Sequence, residues 1–292
     1  MNKPVRARLS LITSMVIFGT IGLFTRFIGV SSAEKALYRA VIAAVLLTAY
    51  FLISRTRIDL RKIGRELPLL ILSGMAMGVN WILLFEAYKY TTISVATLSY
   101  YFAPVIVMLA CPLLFKERMG WMQWLCFLMS TLGLVLVTGL GDLSAGSSHL
   151  TGILFGLGAA VFYACVMLLN KCIKGVSGLQ RTYLQFLSAI VILVPYVLCT
   201  GGFTLGQLDG AGWMNLLIVG SVHTCLAYCL YFPSLKELPG QETAILSYID
   251  PLLACVLSVL LLQESMSPMQ MIGGLLILGF TLLNELYPRK RS

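Results

Sequence analysis

Charged side chains are scarce in this chain. Only 11% of its 292 residues are Asp, Glu, Lys or Arg, 59% are hydrophobic, and the mean hydropathy is +0.90. A soluble domain could not bury so much apolar surface. The apolar runs last about 20 residues and are continuous, as in membrane-spanning helices, whereas barrel strands alternate over about 10 residues. The sequence therefore predicts an all-α integral membrane protein.

Motifs for catalysis and metal binding are also lacking. Histidine occurs only as His149 and His223, and no GxSxG or HExxH motif is present. Hydrolase triads and zinc proteases need such groups. The eight cysteines form no CxxC pair, so neither a disulfide framework nor a zinc site is indicated. We expect no enzyme activity, no metal and no cofactor; an intramembrane hydrolase or transferase is the remote alternative.

The apolar runs predict ten membrane-spanning helices. They cover residues 9–29, 34–53, 67–87, 93–114, 120–139, 150–172, 180–200, 211–233, 241–262 and 267–287. The loops between them are too short to hold a soluble domain. Because no ring of acids or selectivity loop occurs, a channel is disfavoured as well.

Basic residues are distributed unevenly over the loops. With the N-terminus inside, 17 of the 21 Lys and Arg residues fall in cytoplasmic segments. By the positive-inside rule, this bias predicts a multi-pass protein of the inner or plasma membrane with both termini cytoplasmic. The net charge of +9 then reflects topology and contact with anionic membrane lipid, and no nucleic-acid partner is expected.

An internal duplication is visible between two stretches that lie 147 residues apart. In this pattern Tyr101, Pro104 and Glu117 recur as Tyr248, Pro251 and Glu264. Since each half holds five spans, an odd number, the second half must be inverted. The prediction is two inverted five-helix repeats over residues 1–140 and 150–292, the second with a basic cytoplasmic tail, joined by an outer loop at 141–149. Many secondary transporters are built in this way.

Two ionisable residues lie near the predicted middle of the membrane. Asp250 is about nine residues into its span, and a carboxylate at that depth must face the bundle interior, a partner or a wet cavity. It is either a hydrogen-bonded structural acid or a group that handles substrate or protons. His223 is also at mid-depth, and it could form a proton relay with Asp250 or be a neutral packing residue.

Arg39 lies a few residues inside the second span and allows two interpretations. Its long side chain could extend to the outer interface, or its guanidinium could hold a substrate carboxylate through two hydrogen bonds. Both alternatives remain open at this point.

Prolines and aromatic residues mark a candidate substrate cavity. Pro104 and Pro251 each remove a backbone donor at mid-depth, which kinks the helix and frees carbonyl groups. A cavity with aromatic walls and few polar groups suits a small amphipathic solute. The further substrate-binding candidates are Asn80, Trp81, Tyr101, Tyr163, Tyr228 and Tyr248. Glu117 and Glu264 end their helices at opposite faces, as interface residues or ion pairs beside a gate.

The stretches 96–118 (ATLSYYFAPVIVMLACPLLFKER) and 246–264 (LSYIDPLLACVLSVLLLQE) resemble the drug/metabolite transporter superfamily, in its EamA branch. That family typically shows a Tyr, a Pro and, about a dozen residues on, a Glu that closes the helix. The resemblance covers roughly residues 9–139 and 150–285. Asp250 stands where the family often has Glu before the proline.

The resemblance implies a secondary transporter that works by alternating access. It places a central cavity among the first, third, fourth, sixth, eighth and ninth helices and implies export of small metabolites such as amino acids, with protons as a candidate coupling ion. Carriage of organic cations or of drug-like and nucleobase-like solutes is the alternative. The expected partners are a small molecule and membrane lipid, and the protein would act as a monomer or a homodimer.

Overall fold

The computed structural model describes residues 3–55, 63–115, 120–138, 147–173, 175–176, 178–238 and 240–287. Within these ranges all regular structure is helical. In the first half the helices are α1 Lys3–Arg26, α2 Ser32–Ile53, α3 Leu67–Tyr90, α4 Ile93–Tyr100, α5 Ala103–Phe115 and α6 Trp121–Thr138. In the second half they are α7 Ser147–Cys172, α8 Gly178–Thr200, α9 Gly210–Ile218, α10 Ala227–Glu237, α11 Gly240–Ser247, α12 Ile249–Leu262 and α13 Pro268–Leu286.

The helices account for the ten predicted spans. Seven segments are long and apolar enough to cross a membrane, and α6, α12 and α13 are shorter apolar helices. Two of the long segments combine elements, because α4 continues into α5 and α9 continues into α10. The all-α membrane fold with ten spans is therefore confirmed. The predicted loop at 141–149 is shorter than expected at one end, since α7 already begins at Ser147, and residues 141–146 lie outside the described ranges.

Local side-chain bonds explain why several helices begin where they do. At α2 the Ser31 hydroxyl accepts the Glu34 amide, while the Glu34 carboxylate accepts the Ser31 amide. Ser267 and Gln270 form the same capping box at α13. Such reciprocal caps satisfy amide groups that the first turn of a helix leaves free.

The kinks predicted at the prolines are breaks in the helices, and they lie at the repeated tyrosines. Tyr101 separates α4 from α5 with φ −70° and ψ 4°, and Tyr248 separates α11 from α12 with φ −76° and ψ −6°. Pro104 and Pro251 follow in the first turn of the next helix, where a missing amide hydrogen is tolerated. The two halves thus share the same backbone conformation at equivalent positions.

A π-helical segment interrupts the eighth span between α9 and α10. It covers Val219–Leu226, and the Thr224 hydroxyl donates to the Val219 carbonyl, five residues earlier, at 2.8 Å. Nothing in the apolar periodicity predicted it. Short π segments are frequent at functional sites, and this one carries His223.

The two sequence halves are interlocked. Helix α1 packs mainly on α10 and α12 of the second half, and α7 packs mainly on α3, α4 and α5 of the first half. The first helix of each half therefore packs against the other half. The exchange brings residues of both halves to the centre of the bundle.

The last helices of the two halves pack against each other in opposite directions. Gly133 of α6 and Gly273 of α13 lie at their crossing, where a methyl group on either glycine would come within 2.6 Å of the other's carbonyl oxygen. Farther along, Phe280 packs on the cluster that contains Cys126, so the residue numbers run in reverse order. This antiparallel pairing is the one expected between equivalent helices of inverted repeats.

One close contact occurs twice, once in each half. Gly74 of α3 packs on Ser188 of α8, and Gly220 of the π segment packs on Ile42 of α2. Residues 220 and 188 are each 146 positions after residues 74 and 42, so the two contacts are equivalent. Glycine is needed at both places, because an added Cβ would lie 2.5 Å from Ser188 Cβ or 2.6 Å from Ile42 Cβ.

Candidate functional site

The candidate site is a cavity of about 420 Å³ at the centre of the bundle. Its walls come from α1, α3, α4, α7, α10, α11 and α12, and single residues of α2 and α5 complete them. These helices include all six spans that the family resemblance implied, and the second span is added through Arg39. The cavity lies at the lower end of the range of about 300–1,000 Å³ for small-molecule sites.

Asp250 lies on the cavity wall, half-buried, at the start of α12. Its carboxylate accepts a hydrogen bond of 2.6 Å from the hydroxyl of Tyr101. Tyr101 is the break residue between α4 and α5, so the bond joins the kinks of the two halves. The interior position expected for this carboxylate is thus found, with a neutral partner from the other half.

Helix α1 approaches α12 closely beside Asp250. A Cβ at Gly19 would lie 2.8 Å from the Asp250 carbonyl oxygen and 3.1 Å from Leu253 Cβ. The glycine therefore sets how near α1 comes to the backbone that carries the carboxylate. This role of Gly19 was not predicted from the sequence.

Arg39 is buried and does not extend to the interface, so the first of its two interpretations is wrong. Only 4% of the residue is exposed, and its guanidinium lies 4.4 Å from the ring centre of Trp81 and 5.5 Å from that of Phe85. Its Nε donates to the Thr224 hydroxyl at 3.1 Å. Stacking on aromatic faces offsets part of the cost of burying a guanidinium. Arg39 reaches the cavity with further donors.

Asn80 and Trp81 both line the cavity, as predicted. The Asn80 amide donates to the Ala159 carbonyl at 2.7 Å, which ties α3 to α7. The indole of Trp81 lies between Arg39 and Phe186, whose ring centre is 5.6 Å away. Both residues thus organise the wall as well as lining it.

The predicted tyrosines form most of the aromatic lining. Tyr163 stacks on Tyr100 with a centroid distance of 5.0 Å, and Tyr228 meets Phe18 at 5.2 Å. Tyr248 is buried and also faces the cavity. Rings from five different spans, with few polar groups among them, make a surface for the apolar part of a solute.

His223 is not among the cavity-lining residues, and it does not pair with Asp250. Its Nε2 is 3.0 Å from the Thr20 hydroxyl, its Nδ1 is 3.4 Å from the Ile218 carbonyl, and its ring packs on Phe24 at 4.8 Å. The π segment turns the imidazole toward α1. The relay interpretation therefore has no geometric support, and His223 is a packed, hydrogen-bonded residue.

The prolines affect the cavity through the carbonyl groups before them. Neither Pro104 nor Pro251 can donate to the carbonyl four residues earlier, which belongs to Tyr100 or to Ser247. Tyr100 and Ser247 themselves line the cavity, at equivalent positions of the two repeats.

Glu264 ends the ninth span with three contacts. Its carboxylate forms an ion pair with Arg26 at 2.6 Å, accepts the Ile93 amide at 2.9 Å and bonds to Ser258. It therefore joins α1 and the start of α4 to the end of α12, in agreement with an ion pair at a membrane face. Glu117, the equivalent residue, lies outside the described ranges.

Several partners that complete the site could not be predicted from the sequence. Thr224 and Phe85 hold Arg39, and Thr20 holds His223. Each contact joins different spans, two of the three contacts join spans that are far apart in the chain, and neither Thr nor Phe is unusual in a membrane helix. Thr243 and Ser247 also line the cavity. These two hydroxyl residues could have been predicted from the sequence, because residues four positions apart lie on the same face of α11.

The cavity thus contains one acidic and one basic side chain, Asp250 and Arg39, that form no ion pair with each other. Among the described residues, Asp250 has a tyrosine hydroxyl as partner, and Arg39 has a threonine hydroxyl and two aromatic faces. Charges buried without an opposite charge are costly in a membrane protein. Asp250 and Arg39 are therefore available to bind a solute that carries both a positive and a negative charge.

Comparisons with known proteins agree with this architecture. The model of the EamA-like transporter family matches the chain twice, over residues 6–139 and 150–285. The uncharacterized transporter YxxF of Bacillus subtilis is 30% identical over 256 residues, covering 86% of this chain and 80% of the relative. The uncharacterized inner membrane transporter YicL of Salmonella typhimurium is 24% identical over 305 residues, covering 100% of this chain and 99% of the relative.

A solved structure has the same fold. One crystal structure superposes with a TM-score of 0.66 at 18% sequence identity and covers 94% of this chain and 95% of the other. At that identity the match concerns the fold alone.

Proposed function

The chain belongs to the EamA-like transporter family, and from that membership we propose that it exports small zwitterionic solutes of the amino-acid class. Membership makes it a multi-pass membrane transporter. The solute class, the direction and the coupling are parts of the proposal.

The observation that carries the proposal is the pair of uncompensated charges in one cavity. An ammonium group would bind beside Asp250 and Tyr101, and a carboxylate would bind to the free donors of Arg39. The aromatic walls would cover an apolar side chain. A solute with all three parts satisfies both charges at once, whereas a simple cation leaves Arg39 without an anion.

The orientation is proposed from the basic residues. The cytoplasmic bias of Lys and Arg supports cytoplasmic termini, an inner-membrane location and a path outward through the cavity. In this orientation the end of α1 at Arg26 faces outside.

The solute class can be tested with three related molecules. Proteoliposomes loaded with phenylalanine, phenethylamine or 3-phenylpropionate differ only in which charges the solute carries. We expect counterflow to be fastest for phenylalanine. Asp250→Asn should remove the preference over 3-phenylpropionate, and Arg39→Gln should remove the preference over phenethylamine, each by about tenfold or more because a charge-assisted bond is lost.

Glu237→Gln and Arg65→Gln are the matched controls, because both residues are exposed, Glu237 at a helix end and Arg65 in a turn. Both should transport as the unmodified protein does. Equal counterflow of all three molecules, or none of any amino acid, would refute the zwitterion proposal.

An organic-cation carrier is the second candidate function. Asp250 and the ring faces of Tyr100 and Tyr163 resemble the acid and aromatic groups that bind alkylammonium ions. This function predicts that phenethylamine is transported best and that Arg39→Gln increases its transport. The same three-molecule assay therefore decides between the two.

Proton coupling depends on Asp250 in this proposal, because it is the carboxylate on the cavity wall. An imposed pH gradient should accelerate export by the unmodified protein. Asp250→Asn should still permit downhill exchange but lose the response to the gradient, while His223→Gln should keep it. A response that persists in Asp250→Asn would remove the carboxylate from the coupling step.

A further inference from the structure

A second, smaller cavity adjoins the central one. It has a volume of about 310 Å³ and lies at the end of the bundle where α1 terminates. Tyr88 and Ile93 line both cavities and thus form the wall between them. A solute leaving the central site toward this end would pass it.

Three basic side chains line the second cavity, and two of them are neutralised. Arg26 forms its ion pair with Glu264 at 2.6 Å, and Lys89 forms one with Glu86 at 2.9 Å. The remaining basic residue is Lys35.

Lys35 is a buried ammonium group that forms no ion pair in the described structure; the nearby acid whose charge acts on it, Glu86, is already paired with Lys89. Only 8% of the residue is exposed, and its Nζ donates to the Thr25 carbonyl at 2.9 Å. An ammonium has three donors, so two are left for other groups. A buried lysine is costly unless an anion or other acceptors satisfy it. The cavity therefore has an uncompensated positive charge on its wall.

We propose that this second cavity is an exit site that binds the carboxylate of a solute to Lys35, one step from the central cavity. The proposal rests on the proposed function, because it takes the anionic half of the zwitterion as its ligand. Arg39 holds the carboxylate first, in the central cavity, and Lys35 receives it next, so the anionic end of the solute meets a basic residue at each stage. Asp250 holds the ammonium end only at the first stage.

The local charge can be measured without any transported solute. Tyr88→Cys places a thiol on the shared wall, where an anionic and a cationic methanethiosulfonate reagent of similar size can compete for it. Mass spectrometry of the peptide distinguishes this thiol from the native cysteines. One net positive charge nearby should make the anionic reagent faster by about tenfold relative to the cationic one. The reference is Gly206→Cys in the exposed turn at the same end, where the ratio should be near one.

Lys35→Gln should reduce the rate ratio at Tyr88→Cys to near one, and Lys35→Arg should preserve it. Arg65→Gln serves as a control for loss of a basic residue elsewhere. A ratio near one in the parent, a ratio unaffected by Lys35→Gln, or no labelling by either reagent would overturn the proposal. If Lys35→Gln does not fold, the ratio in the parent and its response to acetate decide the matter.

Competition with acetate tests whether the site binds a carboxylate. Acetate should slow labelling by the anionic reagent, whereas methylammonium should not. Repeating the assay in nanodiscs of phosphatidylcholine and of phosphatidylglycerol distinguishes a solute carboxylate from a lipid phosphate. Protection by acetate in both membranes supports the proposal, and protection by phosphatidylglycerol alone overturns it. Failure of phenylalanine counterflow with a high labelling ratio would refute the proposed function while leaving an anion site at Lys35.

Discussion

At the residue scale, the bond between Tyr101 and Asp250 is the feature that the central site depends on most. It joins equivalent kinks of the two halves across the cavity. A buried carboxylate deprived of its donor loses stabilisation of about 1.5–3 kcal/mol. We therefore expect Tyr101→Phe to lower the thermal stability of the purified protein.

Tyr100→Phe is the matched control, since the Tyr100 ring stacks on Tyr163 and no bond of its hydroxyl is described. The loss should vanish when Tyr101→Phe is made in an Asp250→Ala background, because the hydrogen-bond acceptor is then already gone. A Tyr101→Phe effect that persists in that background would assign it to ring packing.

The sequence identified some of these residues better than others. Asp250 was found because a carboxylate at mid-depth is rare, and the repeated Tyr and Pro were found from their spacing. The partner of Asp250 and the burial of Arg39 could not be found, because each depends on contacts between distant spans. The same is true of His223, whose direction is determined by the π segment.

At the element scale, the equivalent glycine contacts of the two halves allow a test of the duplication. Gly74→Ala and Gly220→Ala each place a methyl group against a neighbouring helix. Overpacking of this kind costs about 1–3 kcal/mol. Both variants should therefore unfold at lower temperature, by similar amounts, since the contacts are equivalent.

Gly279→Ala in α13 provides the control, because an added Cβ there meets nothing within 4 Å. Alanine is favoured over glycine in a helix by about 1 kcal/mol, so this variant should be as stable as the parent or slightly more stable. Comparable losses in all three variants would mean that the close approach of the helices does not explain the effect.

Helix boundaries were predictable where the cause is local. Apolar length, basic loops, prolines and the two capping boxes all act within a few residues. The interlocking of α1 and α7 leaves no such pattern, because an apolar helix face does not encode which helix it meets.

At the scale of the whole molecule, the packing defines two groups of helices that differ from the sequence halves. One group contains α1, α9–α12 and, through its contact with the π segment, α2; the other contains α3–α5, α7 and α8, and α2 also packs on α8 and α3 of that second group. Two ion pairs connect α1 to the ninth span, Arg8 with Glu242 and Arg26 with Glu264. We therefore expect these two groups, and not the sequence halves, to move against each other during transport.

Reversible cross-links can test which helices move. Thr48 of α2 and Tyr183 of α8 are in different groups, and their hydroxyls are 3.0 Å apart. We expect a flexible bifunctional thiol reagent at Thr48→Cys with Tyr183→Cys to block counterflow until a reductant is added. The same reagent at Arg26→Cys with Glu264→Cys, within one group, should leave transport intact. Blocking of counterflow by both cross-links would restore the sequence halves as the moving units.

The exchange of first helices also affects how the protein is made. Helix α1 enters the membrane first, but its partners α10 and α12 begin only at Ala227 and Ile249. At about 5–20 residues per second, α1 waits about 10–40 s for them. During that time its surface must be covered by lipid, the insertion machinery or a temporary neighbour. Ribosomes stalled before residue 227 should therefore display an α1 that accepts cross-links from outside the chain and loses them once synthesis is complete.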